Sequence, residues 1–325
     1  MSKERLDTRE RLDTRPTKLM AMGLLILILL LAVGCAGEEG VTLRHEFTEG
    51  ESFSYQVDID LSGKMSGPGI DSKDEEIPED TSISMMMNMD VGKVADGIAT
   101  VTYSFDSVAM TVEGETSQAP PGSVPTIIVK MNERGQVVSV EDAGSLSPQS
   151  MAPSSFALDP SQFAGSTQVV FPEGGVAAAG DQWSATTTQP IPGTGQVITV
   201  ETNATLVSVE DREGRSVATI DFTSDAPMDV VLDLAQILKK QGLDAMIPLA
   251  EGEELVLDIA MNGSQSSNGT IELDTETDMP VSASVSIETS MKMEVTDAPT
   301  LLVPENERGP FDVDIVATLS MAEVK

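Results

Sequence analysis

Apolar and polar residues alternate in steps of two along most of this chain. Phe53, Tyr55, Val57, Ile59 and Leu61 are separated by Ser54, Gln56, Asp58 and Asp60. Ile83, Met85, Met87, Met89 and Val91 form a second such face, with Met86 interrupting the polar side. Ala99, Val101, Tyr103 and Phe105 form a third, which then slips by one to Val108, Met110 and Val112. That slip predicts a bulge near Asp106-Ser107 or a change of face, because one residue reverses every later side chain. Leu255 to Ile259 reads as a further strand. Val281 to Val295 alternates over fifteen residues, broken only at Thr289, and Phe311 to Met321 repeats the pattern. Period two with one apolar face predicts antiparallel sheet with one buried and one solvated side. At about 3.3 Å per residue a fifteen-residue strand is near 50 Å long, so it must twist and bend. The expected fold class is mainly β: two similar curved antiparallel sheets, half-barrel or sandwich-like, with few short helices.

Helix signals are few. Asp159-Pro160 suits an N-cap followed by the first helical position. Met228 to Gln241 fits a helix through Val230, Val231, Leu234, Ile237 and Leu238, and Gly242 would stop it. The same stretch fits a strand through Met228, Val230, Leu232 and Leu234; the helix is the favoured assignment. Gly67 to Asp80, Ser145 to Ser155 and Asp297 to Pro310 read as loops, the first strongly acidic.

Three ordered features recur. Gly50-Glu51-Ser52-Phe53 is matched by Gly180-Asp181-Gln182-Trp183. A polar turn with Asp96-Gly97 before Ala99-Thr100-Val101 is matched by Glu213-Gly214 before Ala218-Thr219-Ile220. The hairpin Ile127 to Ser139 is matched by Ile271 to Ser282. This order suggests an internal duplication. The expected units are a first antiparallel β unit at 41–142, a Ser/Pro-rich linker at 143–167 and a second β unit at 168–325.

These motifs resemble a group of uncharacterised bacterial lipoproteins with G-D-x-W openings, Met-rich strands and a hairpin of the form D-x-x-T-G-x-P-V. The last pattern is met by Asp274 to Val281, with Asp278 where Gly would stand. More distantly the layout is similar to the LolA/LppX-like half-barrels, in which a curved sheet cups acyl chains. The resemblance implies lipid binding and carries no diagnostic ligand-binding residue.

The leader strengthens the envelope reading. Basic residues from Lys3 to Lys18 precede the apolar run Met20 to Val33. Fourteen residues at about 1.5 Å each give roughly 21 Å, short of the roughly 30 Å hydrocarbon core. The run therefore reads as a signal-peptide core. It ends in Leu31-Ala32-Val33-Gly34-Cys35, which resembles the bacterial lipobox, with Ala32 where Leu is more usual. The resemblance implies signal peptide 1–34, diacylglyceryl transfer and acylation (palmitate and diacylglycerol) at Cys35, and an anchor and spacer at 35–40. Two acyl chains anchor durably where one is marginal. Ala36 after the Cys favours the outer membrane in a diderm host.

Composition then excludes other classes. The formal net charge is −34, and without the leader 13 Lys+Arg face 49 Asp+Glu. Such a chain repels phosphate backbones, so no nucleic-acid partner is expected. One Cys and one His leave no multi-Cys metal site or His relay. Thioether clusters can take Cu(I), yet Met also fills cores and lines surfaces that accept varied apolar ligands. His45 reads as a surface or hydrogen-bonded residue. The acidic run to Asp80 lacks calcium-loop spacing, and no Gly-rich phosphate loop or nucleophile elbow appears. No metal, cofactor or catalytic residue is expected. The expected protein is a non-enzymatic, lipid-anchored envelope protein holding a lipid or other hydrophobic ligand. Met85, Met87, Met89, Tyr103, Phe105, Met291 and Met293 are its expected lining. The alternative is a structural or interaction lipoprotein without a small-molecule ligand.

Overall fold

The alternating runs fold as long antiparallel strands, each hydrogen-bonded to its neighbour so that apolar positions share one face. A computed structural model describes residues 40–68, 75–120, 126–141, 169–190, 196–240, 254–299 and 303–324. In chain order these form β1 (Val41–Thr42), β2 (Ser52–Ser66), β3 (Glu75–Ala95), β4 (Ile98–Val112), β5 (Glu115–Gln118), β6 (Ile127–Asn132) and β7 (Val137–Glu141). There follow β8 (Val176–Ala177), β9 (Gln182–Pro190), β10 (Val197–Arg212), β11 (Arg215–Asp233), α1 (Leu234–Lys240), β12 (Asp258–Asp274), β13 (Met279–Asp297) and β14 (Phe311–Glu323). The lipidation candidate Cys35, the helix signal at Asp159-Pro160 and the loop at Ser145 to Ser155 lie outside the described residues.

The protein is mainly β, with two antiparallel sheets of unequal size. The small one pairs β1 with β8. The large one has twelve strands, in the order β7-β6-β4-β3-β2-β14-β13-β12-β11-β10-β9, with β5 beside β4. Strands from both halves of the sequence thus share one sheet, joined where β14 pairs with β2. The sheet is not closed into a barrel by hydrogen bonds, yet its edge strands β7 and β9 approach within 8 Å between Cα atoms.

Curvature has a local cause. Gly63 and Gly263 occupy inward positions, level with Ile315 and Met291 on the neighbouring strands. A Cβ at Gly63 would overlap the carbonyl of Asp314, and one at Gly263 that of Ser290. Only residues without a side chain allow the backbones to close up there, which is how glycine bends a sheet.

One end of the sheet carries tight turns, and the other carries the longer connections. At the turn end the inward face is a packed core. Tyr55, Val57, Ile59, Val101, Ile127, Val129, Leu206, Ile220, Ile271 and Leu319 are buried there. The seam between the edges is filled by Val169, Val170 and Phe171, all buried. The Trp183 indole donates to the Val170 carbonyl at 2.6 Å, and Arg134 Nε donates to the Phe171 carbonyl at 3.0 Å. This wedge ties β9 to the β6–β7 turn.

The repeated sequence features have the same backbone geometry. Gly50 N–H donates to Val91 O and Val91 N–H to Glu51 O, each at 2.8 Å. Gly180 N–H donates to Leu206 O at 2.7 Å and Leu206 N–H to Asp181 O at 3.0 Å. Asp96 and Gly97 have φ of 54° and 73°, and Glu213 and Gly214 have 55° and 83°. Asp278, in the turn between β12 and β13, has φ 53°. A left-handed backbone is the physical reason Gly suits that position and Asp tolerates it.

Some elements differ from the sequence expectation. Met228 to Asp233 continue β11, and the helix starts only at Leu234. The pairs Met228–Gly263, Val230–Met261 and Leu232–Ile259 outweigh the local helix pattern. Asp233 then caps α1, its Oδ1 accepting from Gln236 N–H at 2.7 Å. Leu255 to Leu257 are irregular, and β12 begins at Asp258. The acidic loop is shorter than expected, because Glu75 to Asp80 belong to β3. The slip after Phe105 is a bulge: Ser107 has φ 54°, and Met86 and Ser84 face Asp106 and Ala109.

Candidate functional site: the interior of the curved sheet

Register assigns every inward side chain a depth. Nearest the turn end, Leu206, Ile220, Ile271, Ala283, Met321, Val57 and Met85 are level across neighbouring strands. The next row toward the loop end holds Trp183, Ala204, Phe222, Gly269, Val285, Leu319, Ile59 and Ile83. Both rows belong to the packed core.

The third row changes character. Thr202, Ser224, Ser267, Ile287, Ala317, Leu61 and Thr81 are level across β10, β11, β12, β13, β14, β2 and β3. Thr202 Oγ1 and Ser224 Oγ share a hydrogen bond of 2.9 Å. Thr81, Thr202 and Ser267 are only 4%, 5% and 6% exposed. Thr81 Oγ1 has no hydrogen-bond partner among the described residues. The following row adds Gln265 and Thr289 beside Ala226, Ile315 and Gly63. A band of neutral polar groups therefore crosses the interior at mid-depth.

Beyond the band the interior is apolar again. One row comprises Met228, Gly263, Met291, Val313 and Met65, and the next Val230, Met261, Met293 and Phe311. Leu232, Ile259 and Val295 lie furthest out. On β11 these side chains are buried. On β12, β13 and β2, Met65, Ile259, Met261, Met291, Met293 and Val295 are only half-buried. Inward alternate positions of a curved sheet that keep this exposure form an incompletely filled apolar face.

The outward face has the opposite polarity. Ser52 donates to Asp90, Gln56 to Ser84, Asn88 to Asp106, Thr270 to Asp221 and Ser290 to Asp314. A membrane-spanning barrel needs an apolar belt outside, and these strands present hydroxyls, amides and carboxylates there. No helix among the described residues is long and apolar enough to cross a membrane.

The lining residues expected from sequence fall into two groups. Met85, Met87, Met89, Tyr103 and Phe105 sit on β3 and β4, where Met87 pairs with Phe105 and Met89 with Tyr103. Met89 and Tyr103 are 6% and 8% exposed and are part of the packed core, while Met85, Met87 and Phe105 pack half-buried against it. Met291 and Met293 lie on β13 beyond the polar band. The β13 residue level with Met85 is Ala283, eight positions before Met291, a separation of roughly 26 Å along the strand. The structure does not bring the two groups together. Met65, Met228 and Met261 join Met291 and Met293 instead. No pattern within one strand marks them, because each belongs to a different strand; the local trace of the band is Thr289, which breaks an apolar alternation.

At the turn end two titratable groups are withdrawn from water. His45 stacks on Phe47 and lies tilted against Phe171, with ring centroids 4.9 Å away in both cases. Burial pushes its imidazole down to about 4, opposed by a backbone hydrogen bond at Asp278. Burial pushes the Asp278 carboxyl up to about 7, opposed by a backbone hydrogen bond from Arg44. These groups secure residues 43–47 against the turn end and lie outside the methionine-lined rows.

No family model matches the sequence, and no curated protein does. Among solved structures the chain is similar to lipovitellin, described for its lipid–protein interactions, at 9% identity and a TM-score of 0.43. That match covers 86% of this chain, which spans only 26% of lipovitellin. It is also similar to the Salmonella typhi OmpF complex with daunomycin, at 7% identity and a TM-score of 0.24, covering 84% and 98% of the two chains. A loop-deletion form of OmpT, an outer membrane protein of Vibrio cholerae, matches at 8% identity and a TM-score of 0.20, covering 84% and 100%.

Proposed function

We propose that this protein is a non-enzymatic, lipid-anchored component of the bacterial cell envelope that holds a hydrophobic molecule inside its curved sheet. The observation that carries the reading is the half-buried apolar face formed by Met65, Met261, Met291 and Met293 on the inside of a sheet whose outside is polar. Leaving such side chains partly wet forfeits about 25 cal/mol for each Å² of apolar surface, and a hydrophobic guest recovers it. Methionine suits a guest of variable shape, because its unbranched thioether chain repacks at little cost. In this reading Cys35 carries the acyl anchor, on the non-cytoplasmic side and at the outer membrane of a diderm host. The acidic outer face keeps the domain in solution beside that membrane.

Two measurements test it on the full chain. Metabolic labelling with a radioactive fatty acid should mark the wild type and not Cys35→Ala. The Cys35→Ala protein should show bound hydrophobic species in native mass spectrometry and enhance the fluorescence of N-phenyl-1-naphthylamine. A protein that carries no hydrophobic species and ignores the probe would refute ligand binding.

A further inference from the structure

Resting on that proposed function, we infer that the guest is an uncharged amphiphile: a hydrocarbon chain ending in hydroxyl, ester or amide groups, which enters polar end first and hydrogen-bonds to the Thr81–Ser267–Ser224–Thr202 band. The first observation is position. These four hydroxyls come from β3, β12, β11 and β10, far apart in sequence, yet register sets them on one row. Gln265 and Thr289 lie one row further out. An all-apolar interior would be the cheaper way to fill a sheet, since each buried hydroxyl without a partner costs about 1–3 kcal/mol.

The second observation is that Thr81 is 4% exposed and its Oγ1 has no partner among the described residues. It pairs with Leu61, an inward core residue, so its side chain lies on the inward face of the sheet. A hydroxyl can both donate and accept. It therefore suits an alcohol, ester or amide and does not select a fixed charge.

The third observation is electrostatic. On β11, β12, β13, β14 and β2 the inward positions of the two methionine-lined rows carry no Lys, Arg, Asp or Glu: these are Met228, Gly263, Met291, Val313 and Met65, then Val230, Met261, Met293 and Phe311. The one charged residue level with them is an acid, Glu75 of β3 opposite Met65. A carboxylate or phosphate buried among them would have no counter-charge, at a cost of several kcal/mol per ion. At the loop end Asp233, Asp258 and Asp297 are level on adjacent strands. Their mutual repulsion and partial burial raise the Asp258 carboxyl, burial contributing most. A rim of this sign discourages an anionic headgroup before it enters.

The dimensions fit one chain. From Ser267 to Ile259 the inward path on β12 covers eight residues, roughly 26 Å. One leaflet fills about half of the roughly 30 Å hydrocarbon core of a bilayer. An acyl chain can thus extend from the band past Met261, Met291 and Met293 toward the loop end.

The test uses the full chain as Cys35→Ala, loaded with N-phenyl-1-naphthylamine and challenged with monooleoylglycerol, oleate or octadecene. Monooleoylglycerol should displace the probe at a concentration at least tenfold below either of the others. Adding Thr81→Val and Ser267→Ala, which keep shape and remove hydroxyls, should abolish that preference while the probe still binds. Equal displacement by octadecene, stronger displacement by oleate, or an unchanged preference in the double variant would each overturn the inference and leave hydrophobic-ligand binding standing. Failure of the probe to bind at all would overturn both.

Discussion

Arg215, at the start of β11, donates from its guanidinium to Glu323, at the end of β14, at 2.7 Å, although β12 and β13 lie between the two strands. In a flat sheet three steps of about 4.8 Å would hold these backbones roughly 14 Å apart. The curl brings the side chains together beneath the core, where Arg215 Nε also lies 3.7 Å from Asp274. Both neighbours hold the guanidinium charged. The pair is a strut across the concave side of the turn end.

Removing the strut should loosen the curvature. Arg215→Ala and Glu323→Gln are each expected to lower the Tm modestly, with the loss shrinking as salt is added, because the arginine side chain remains 35% exposed. A double-mutant cycle should give non-additive losses. Additive ones would mean that the two residues act independently.

Stability should depend on pH through two opposed groups. Asp278, pushed up to about 7, binds more protons in the folded than in the unfolded chain between about pH 4 and 7. Its contribution is therefore lost as pH rises through that window. His45, pushed down to about 4, binds fewer protons when folded between about pH 4 and 6.5, so its contribution grows with pH there. Asp278→Asn retains a residue suited to the left-handed backbone. It should raise stability at pH 8 by about 2 kcal/mol. The variant should leave only the upward slope between pH 4 and 6.5 in urea unfolding. An unchanged pH profile would place the carboxyl in water.

Gly263→Ala should cost about 1–3 kcal/mol, because the new methyl must displace the Ser290 and Met291 backbone. Gly174→Ala meets nothing within 4 Å and serves as the control. Chemical denaturation of both should separate curvature from glycine content.

Trp183 is the single tryptophan and reports the seam directly. Trp183→Phe keeps an aromatic ring and removes the donor to Val170, so a loss of about 1 kcal/mol is expected. In the wild type, tryptophan emission should shift to the red in the same denaturant range as the far-ultraviolet signal. An earlier shift would show the wedge of Val169, Val170 and Phe171 detaching before the sheet unfolds.

Much of the strand content was legible because period two is written locally. Phe53 to Leu61, Ile83 to Val91 and Phe311 to Met321 fold as their alternation predicts, and the slip after Phe105 is realised at Ser107. Where local pattern and pairing conflicted, pairing decided. The local pattern favours a helix from Met228, and the facing residues of β12 override it as far as Asp233. The expected lining was half legible. Methionine content pointed to an adaptable apolar face, while the depth of each methionine depended on its register with strands elsewhere in the chain.

The sequence alone determined the antiparallel β class, the polar outer face, the repeated polar turns, and the scarcity of helix among the described residues. Each is a short-range property: side-chain direction alternates with position, and turns need residues that tolerate a left-handed backbone. Tertiary structure alone decided that β14 pairs with β2, so that both halves share one sheet. It also decided that Thr81, Ser267, Ser224 and Thr202 meet at one depth. The physical reason is that register is fixed by hydrogen bonds between strands distant in the chain, and a shift of a few residues on any one strand would scatter that row without changing a letter of the local pattern.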